Sequence, residues 1–339
     1  MRFTAYIFFI SAFFIAACHK KTKAPEEEVP VPTEDVAIEP GVKCEDLPPA
    51  PVPFGWQDST GDPNKSINAF LFDPLNADKI IYVVNGDAFG YNKLYFYTIP
   101  TKQARYICTL GNYLPQVNHK GWITFSDVNN NVFLVKNNGD SIIPLVTNKH
   151  AHDPKWDFTG NFIYYFQEAH DNITAQLLKI DTAGNPKNSF AWELPYTASF
   201  KKSDKLIYLD TKTTSCTLFI KDINSNTNID QALITGPLYS KPGQINFDNL
   251  TLDNNDENFY WSNSNGIFRC NLGSLKIDTL LKNCSNLIYN RPIISFKANE
   301  LTCSQQLITA INSATLYRQF KAIEMNLLTQ QATEIKIYP

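Results

Sequence analysis

The segment His150-Ala151-His152-Asp153 is the one place in the 339-residue chain where histidines cluster. Alternate side chains of an extended segment point to the same side, so both imidazoles could ligate one metal ion and Asp153 could add a carboxylate oxygen. Two histidines from one loop leave such a site incomplete, and no sequence feature identifies further ligands. The alternative interpretation is that the histidine before Pro154 only hydrogen-bonds at a strand edge.

Other catalytic patterns do not occur in the sequence. Nucleophilic hydrolysis needs a serine or cysteine beside a base, but there is no Gly-x-Ser-x-Gly motif and the chain has only five histidines. The runs 127–131 (DVNNN) and 222–226 (DINSN) lack the terminal glutamate of a calcium loop. The sequence therefore predicts a non-catalytic protein without a cofactor. The alternative is a metal-assisted polysaccharide lyase or hydrolase that uses His150 and His152.

The N-terminus predicts export and lipid attachment. Arg2 precedes the apolar run 6–15 (YIFFISAFFI), which is shorter than the roughly 20 residues of a membrane-spanning helix. The next residues, Ile15-Ala16-Ala17-Cys18, resemble the lipobox of bacterial lipoproteins, in which the cysteine is diacylated and becomes the first mature residue. The resemblance implies a signal peptide over residues 1–17 and stable membrane attachment through acyl chains such as palmitate on Cys18. An ordinary signal peptide with a chance cysteine is the alternative.

Residues 18–61 are predicted to be the lipidated cysteine and a flexible tether. Residues 19–53 contain eight of the chain's 20 prolines and almost no aromatic residues, a composition that cannot bury a core. At about 3.1 Å per residue the tether reaches on the order of 100 Å. In lipoproteins of Bacteroidota-like bacteria, acidic residues directly after the cysteine favour surface display. Here His19-Lys20-Lys21 come first, which favours the periplasmic face of the outer membrane.

Charge and cysteine content limit the possible partners and covalent links. A net charge of -3 gives no basic field for nucleic acid. An oxidising compartment permits disulfides, and six cysteines beyond Cys18 allow fifteen full pairings that the sequence cannot rank. Several of these cysteines are expected to be buried free thiols. The six are Cys44, Cys108, Cys216, Cys270, Cys284 and Cys303.

The elements that would position these residues form a repeat. Short apolar segments recur around Ile81, Ile123, Ile163, Ile207, Phe259 and Leu301, with separations of 42, 40, 44, 52 and 42 residues. A second apolar segment follows each of these anchor positions, and turns such as NNGD and TAGN follow most of those. The longest separation predicts a surface insertion around residues 240–256. Each anchor segment is rich in branched or aromatic residues, which is typical of a buried strand.

Six units of four short strands, with a period near 40 residues, predict an all-β, six-bladed β-propeller over residues 62–339. A pair of β-sandwiches is the alternative, but it would not need a regular period. The segment DPKWDFTGNFIYYF at 153–166 resembles the TolB-type, WD40-like repeat, whose core reads proline-x-tryptophan, a Ser-Pro-Asp-Gly-type turn and an apolar strand. Here WDFT replaces the usual Trp-Ser-Pro-Asp. Blade closure could use a strand from 54–66 or the C-terminal TEIKIYP alone.

Aromatic residues recur between the units. Tyr113, Tyr196, Tyr239 and Tyr289 fall where one blade should connect to the next, and His150 occupies the comparable place in blade three. Such connections surround one mouth of a propeller channel, and tyrosine is enriched in recognition surfaces. The alternative is that these tyrosines merely sit at strand ends. The sequence predicts a scaffold or recognition module that binds an envelope protein, a peptide or a glycan at this mouth.

Overall fold

The computed structural model describes residues 57–58, 67–84, 91–111, 113–168, 175–192, 197–210, 216–223, 227–234, 248–263, 265–297, 299–312 and 315–337. All regular structure in these ranges is β-strand, and none of it is a helix that could cross a membrane. Cys18, the predicted signal peptide and most of the predicted tether lie outside these ranges.

The strands form six sheets, each with four consecutive antiparallel strands, and the last sheet has one additional strand. The first strands are β2 (Ile67–Asp73), β6 (Gln116–Val117), β10 (Ala151–Trp156), β14 (Thr197–Ser199), β18 (Asp248–Leu252) and β22 (Leu287–Ile294). The second strands are β3 (Asn76–Val84), β7 (Trp122–Ser126), β11 (Phe162–Glu168), β15 (Lys205–Asp210), β19 (Asn258–Asn263) and β23 (Glu300–Asn312).

The outer half of each sheet follows the same order. The third strands are β4 (Asn92–Thr98), β8 (Val132–Lys136), β12 (Ala175–Asp181), β16 (Cys216–Asp222), β20 (Gly266–Asn271) and β24 (Thr315–Asn326). The fourth strands are β5 (Gln103–Leu110), β9 (Ile143–Val146), β13 (Pro186–Trp192), β17 (Thr227–Ile234), β21 (Ile277–Lys282) and β25 (Ala332–Ile335). Neighbouring first strands contact one another from β6 to β22, β22 contacts β2, and blades one and two share a hydrophobic cluster. The predicted six-bladed β-propeller is therefore confirmed.

The repeat anchors identify the second strand of every blade. All six anchor residues lie in β3, β7, β11, β15, β19 and β23, and all are 0% exposed. The long fourth-to-fifth separation is explained only in part, because Asp248–Leu252 of the predicted insertion is strand β18. The remaining residues of the connection, 235–247, lie outside the described residues.

Six hydrophobic clusters hold the blades together, and each cluster spans two neighbouring sheets. In blade three, Ile163 and Tyr165 pack towards blade two, whereas Tyr164 and Phe166 pack towards blade four. The cluster that includes Ile67 and Ala322 joins blade one to blade six. Since every blade buries both faces against neighbours, the packing closes the ring.

Turns after the first strands add polar links between blades. The Asp157 side chain accepts hydrogen bonds from the backbone of Asn161 and Phe162, both at 3.0 Å. The Asn118 amide of blade two donates to the Gly160 carbonyl of blade three at 3.1 Å. These bonds satisfy backbone N–H and C=O groups of the turns that have no hydrogen-bond partner in the short first strands.

The last blade is completed by the C-terminus. Strand β25 pairs with β24 through Ala322–Met325, so part of the TEIKIYP segment forms the fourth strand of this blade. Strand β1 (Gln57–Asp58), which falls in the predicted tether, pairs in parallel with Thr315 and Leu316 on the same edge of β24. The N-terminal segment thus extends the edge of blade six and does not replace its outer strand.

The cysteines divide into two chemical states. Cys108, Cys270 and Cys303 are free, as expected for several of them, and burial raises the pKa of the Cys270 thiol to about 11. Cys284 forms a disulfide whose partner is not one of these three free thiols. It lies between blades five and six, in the cluster that they share.

Candidate functional site at the channel mouth

The structure places Tyr113 and His150 where the repeat predicts them, directly before the first strands of blades two and three. The expected position of Tyr289 is wrong, because this residue lies inside β22, is 4% exposed and accepts a hydrogen bond from Gln305 Nε2 at 3.0 Å. The alternation of side chains along β22 directs Tyr289 into the cluster between blades five and six. Tyr196 and Tyr239 lie outside the described residues.

His152 is the centre of an aromatic stack at this mouth. Its ring lies 4.8 Å from the Tyr113 ring with an interplanar angle of 8°, and 6.0 Å from the Phe166 ring. His152 is 7% exposed, and neither of its ring nitrogens has a hydrogen-bond partner within the described residues. Burial of an imidazole without partners costs free energy, so the stack must compensate for it or a ligand must satisfy it.

Glu168 is the charged neighbour of this imidazole. Its Oε1 lies 3.2 Å from His152 Nε2, without the angles of a hydrogen bond, and its side chain is 45% exposed. The backbone N–H of Glu168 donates to the His150 carbonyl at 3.3 Å, which fixes the end of β11 against this segment. A protonated His152 would form an ion pair with the carboxylate, whereas the neutral ring offers one donor and one acceptor.

The two clustered histidines do not share one environment. His150 has a φ of 49° and Asp153 a φ of 48°, and the pairing of β10 with β11 shifts between His152 and Lys155. The assumption of a regular extended segment is therefore wrong, and His150 is exposed where His152 is buried. The Asp153 carboxylate receives a hydrogen bond from Lys155 Nζ at 2.9 Å.

These contacts bear on the predicted metal site. In the part of the chain that the structure describes, no three His, Cys, Asp or Glu side chains group closely enough to hold a metal ion. Two residues of this mouth, Phe166 and Glu168, were missed by sequence reasoning. Phe166 and Glu168 lie in the recognisable anchor strand of blade three, but their meeting with His152 depends on strand register, which the repeat pattern did not supply.

The fold and this site define a six-bladed β-propeller whose first strands surround a channel. No family model and no curated protein matches the sequence. Among solved structures, a protein described as TolB from Agrobacterium tumefaciens is 11% identical, with a TM-score of 0.50 over 70% of this chain and 86% of that one. A chain of Kuenenia stuttgartiensis hydrazine synthase is 9% identical, with a TM-score of 0.51 over 82% of this chain and 97% of that one.

A further similar structure carries an enzyme name. Acylaminoacyl peptidase from Pyrococcus horikoshii is 10% identical and has a TM-score of 0.51, and the match covers 80% of this chain but 53% of the peptidase. At identities this low, all three likenesses show the fold alone. The chain is thus a β-propeller with a TolB structure among its structural neighbours.

Proposed function

We propose that this protein is a non-catalytic, membrane-anchored lipoprotein that uses its propeller to recognise an envelope protein, a peptide or a glycan. The observation that carries the proposal is the Tyr113–His152 stack at a channel mouth, in which neither imidazole nitrogen has a hydrogen-bond partner among the described residues and Glu168 Oε1 lies 3.2 Å from His152 Nε2. Binding sites commonly combine aromatic surface with a few polar groups that fix orientation.

The stack is suited to recognition because its geometry exists before a ligand arrives. The His152 ring stacks with the rings of both Tyr113 and Phe166, which restricts its rotation. The His152 ring nitrogens are buried, so a ligand would meet the exposed part of the site, where the Glu168 carboxylate accepts a hydrogen bond from an amide or hydroxyl donor. Both peptides and sugars supply such groups, and a preorganised site lowers the entropy cost of binding them.

The anchor and the tether support an envelope location. The lipobox-like Ile15-Ala16-Ala17-Cys18 would place two acyl chains on Cys18, and the proline-rich segment would hold the propeller away from the bilayer. We place the protein at the outer membrane, on its periplasmic face. Growth with labelled palmitate tests this assignment, because the label should enter the wild-type protein and be absent from Cys18→Ser.

Chemical crosslinking in intact cells tests the recognition role. The wild-type protein should yield one reproducible crosslinked envelope partner, and Tyr113→Ala should reduce its recovery at least tenfold. Tyr106→Ala is the matched control, since Tyr106 is 49% exposed on the outer strand β5 of blade one. Equal recovery from the wild type and Tyr113→Ala would show that this mouth is not the recognition surface.

Elemental analysis of the purified protein separates this function from the enzyme alternative. A binding module should contain no stoichiometric transition metal, and His152→Ala should leave its metal content unchanged. Stoichiometric metal that is lost in His152→Ala would instead support metal-assisted polysaccharide cleavage.

A further inference from the structure

The channel contains a second polar region at the other ends of the first strands. Two cavities of about 40 and 30 Å³ lie there and have Gln116, Val117, Lys201, Leu250 and Thr251 in common. Residues from all six first strands line one or both of them. The space accommodates a few water molecules or an ion of similar size.

Residues with hydrogen-bond donors line this space. Lys155, Ser199 and Lys201 all line the smaller cavity. The Ser199 hydroxyl is buried and has no hydrogen-bond partner among the described residues. Lys155 is 9% exposed and uses one of its three ammonium protons on Asp153 at 2.9 Å, which leaves others for a ligand.

The carboxylate nearest to Lys201 is held by backbone groups. Asp256 accepts hydrogen bonds from the backbone N–H groups of Lys201 and Lys202, at 2.6 and 2.8 Å. The Lys201 ammonium itself makes no hydrogen bond or ion pair with the residues that the structure describes. Its charge is therefore available to the cavity.

The charges of the two lysines also act on each other, although Asp153 and Asp256 offset part of their repulsion. The Lys201 residue is exposed in the turn after β14, and desolvation by the surrounding protein atoms lowers the pKa of its ammonium group. Asp256 opposes this shift in the pKa of Lys201, and the neighbouring Lys155 charge adds to it. An anion between the two ammonium groups would relieve their repulsion.

We propose that Lys155, Lys201 and Ser199 form a binding site for a small oxyanion inside the channel. A phosphate or a carboxylate has the acceptor oxygens and the charge that these three donors require. The ligand is either a free ion or the carboxylate of a larger molecule that enters the channel. This site uses none of the residues of the Tyr113–His152 mouth, so each proposal can fail without the other.

Isothermal titration calorimetry of the detergent-solubilised full chain tests this site, with inorganic phosphate and acetate as probes in a buffer that contains no other oxyanion. We expect saturable one-to-one binding of at least one probe. The Kd should rise at least tenfold in Lys201→Gln, because one charge-assisted hydrogen bond is lost. Binding of phosphate alone points to a free ion, whereas binding of acetate points to a carboxylate ligand.

Lys202→Gln is the matched control for this measurement. Lys202 carries the same charge and the same backbone bond to Asp256, but its ammonium reaches Asn255 at 3.2 Å, and Lys202 does not line either cavity. Its Kd should stay within twofold of the wild type. No binding of either probe, or equal weakening by Lys201→Gln and Lys202→Gln, would overturn the proposal.

Discussion

The substitution Phe259→Ala tests whether the repeat anchors hold the blades together. Phe259 is 0% exposed, belongs to the cluster between blades four and five, and its ring lies 5.0 Å from that of Trp261. Removal of a fully buried phenylalanine costs about 3–5 kcal/mol of unfolding free energy, of which an aromatic pair accounts for roughly 0.5–1.5 kcal/mol. Such a loss is a large fraction of the roughly 5–15 kcal/mol that stabilises a typical domain.

Urea denaturation followed by far-ultraviolet circular dichroism measures this loss. The midpoint should fall substantially while the dependence on urea concentration stays the same. Phe158→Ala is the control, because Phe158 is 38% exposed in a turn of blade three and its removal should cost less than about 0.5 kcal/mol. If both variants lose the same stability, the argument that Phe259 anchors the inter-blade core is refuted.

Three further predictions concern a glycine, the thiols and a half-buried carboxylate. The Gly266→Ala variant should melt at a much lower temperature than the Gly273→Ala variant. A Cβ at Gly266 (φ 147°) would lie 2.0 Å from the Leu281 carbonyl oxygen, whereas the atom nearest to a Cβ at Gly273 is 3.5 Å away. Equal melting temperatures of the two variants would contradict this. Alkylation followed by mass spectrometry should label Cys270 and Cys303 only after denaturation, because both are 0% exposed and burial raises the pKa values of their thiols, to about 11 for Cys270. Cys284 should be labelled only after reduction as well, and rapid labelling of Cys270 or Cys303 in the native protein would be inconsistent with their burial. The pKa of Glu324 is raised, mainly by burial and next by the hydrogen bond with Glu300. The stability that the Glu324 side chain contributes is therefore present at low pH and is lost as the pH rises through its pKa in the folded state. Glu324→Gln should therefore be more stable than the wild type at neutral pH and lose that advantage in acid, and a pH-independent difference in urea midpoint would contradict this.

Much of the fold could be predicted because each blade repeats one simple pattern. A buried second strand such as Phe162–Glu168 must be apolar on both faces, since each face packs against a neighbouring blade, and this requirement is visible in the sequence. The C-terminal TEIKIYP could be recognised as a strand on the same grounds. The sequence could not decide between this segment and an N-terminal strand for closure of the last blade, and in the structure both pair with β24.

The candidate site was only partly predictable, because local departures from regular strand geometry determine it. Positive φ angles at His150 and Asp153 separate two histidines that an ideal strand would place on one side. The sequence identifies Tyr113 as one of the tyrosines between blades and His152 as a possible metal ligand. Their stacking depends on the packing of blade two against blade three. Lys155 and Lys201 lie in different repeats, and they line one cavity only because the ring of blades closes. The repeat pattern predicts the ring but does not predict which side chains meet inside it.

The central claim is that the mouth at Tyr113 and His152 contacts a ligand in the cell envelope. Site-specific photo-crosslinking tests it most directly, with a photoreactive phenylalanine analogue placed at position 113 or, as the control, at position 106 of the outer strand. We predict that illumination of intact cells captures one discrete species from position 113 and none from position 106, with mass spectrometry identifying it as protein or glycan. Capture from position 106 alone, or from neither position, would contradict the proposed recognition site.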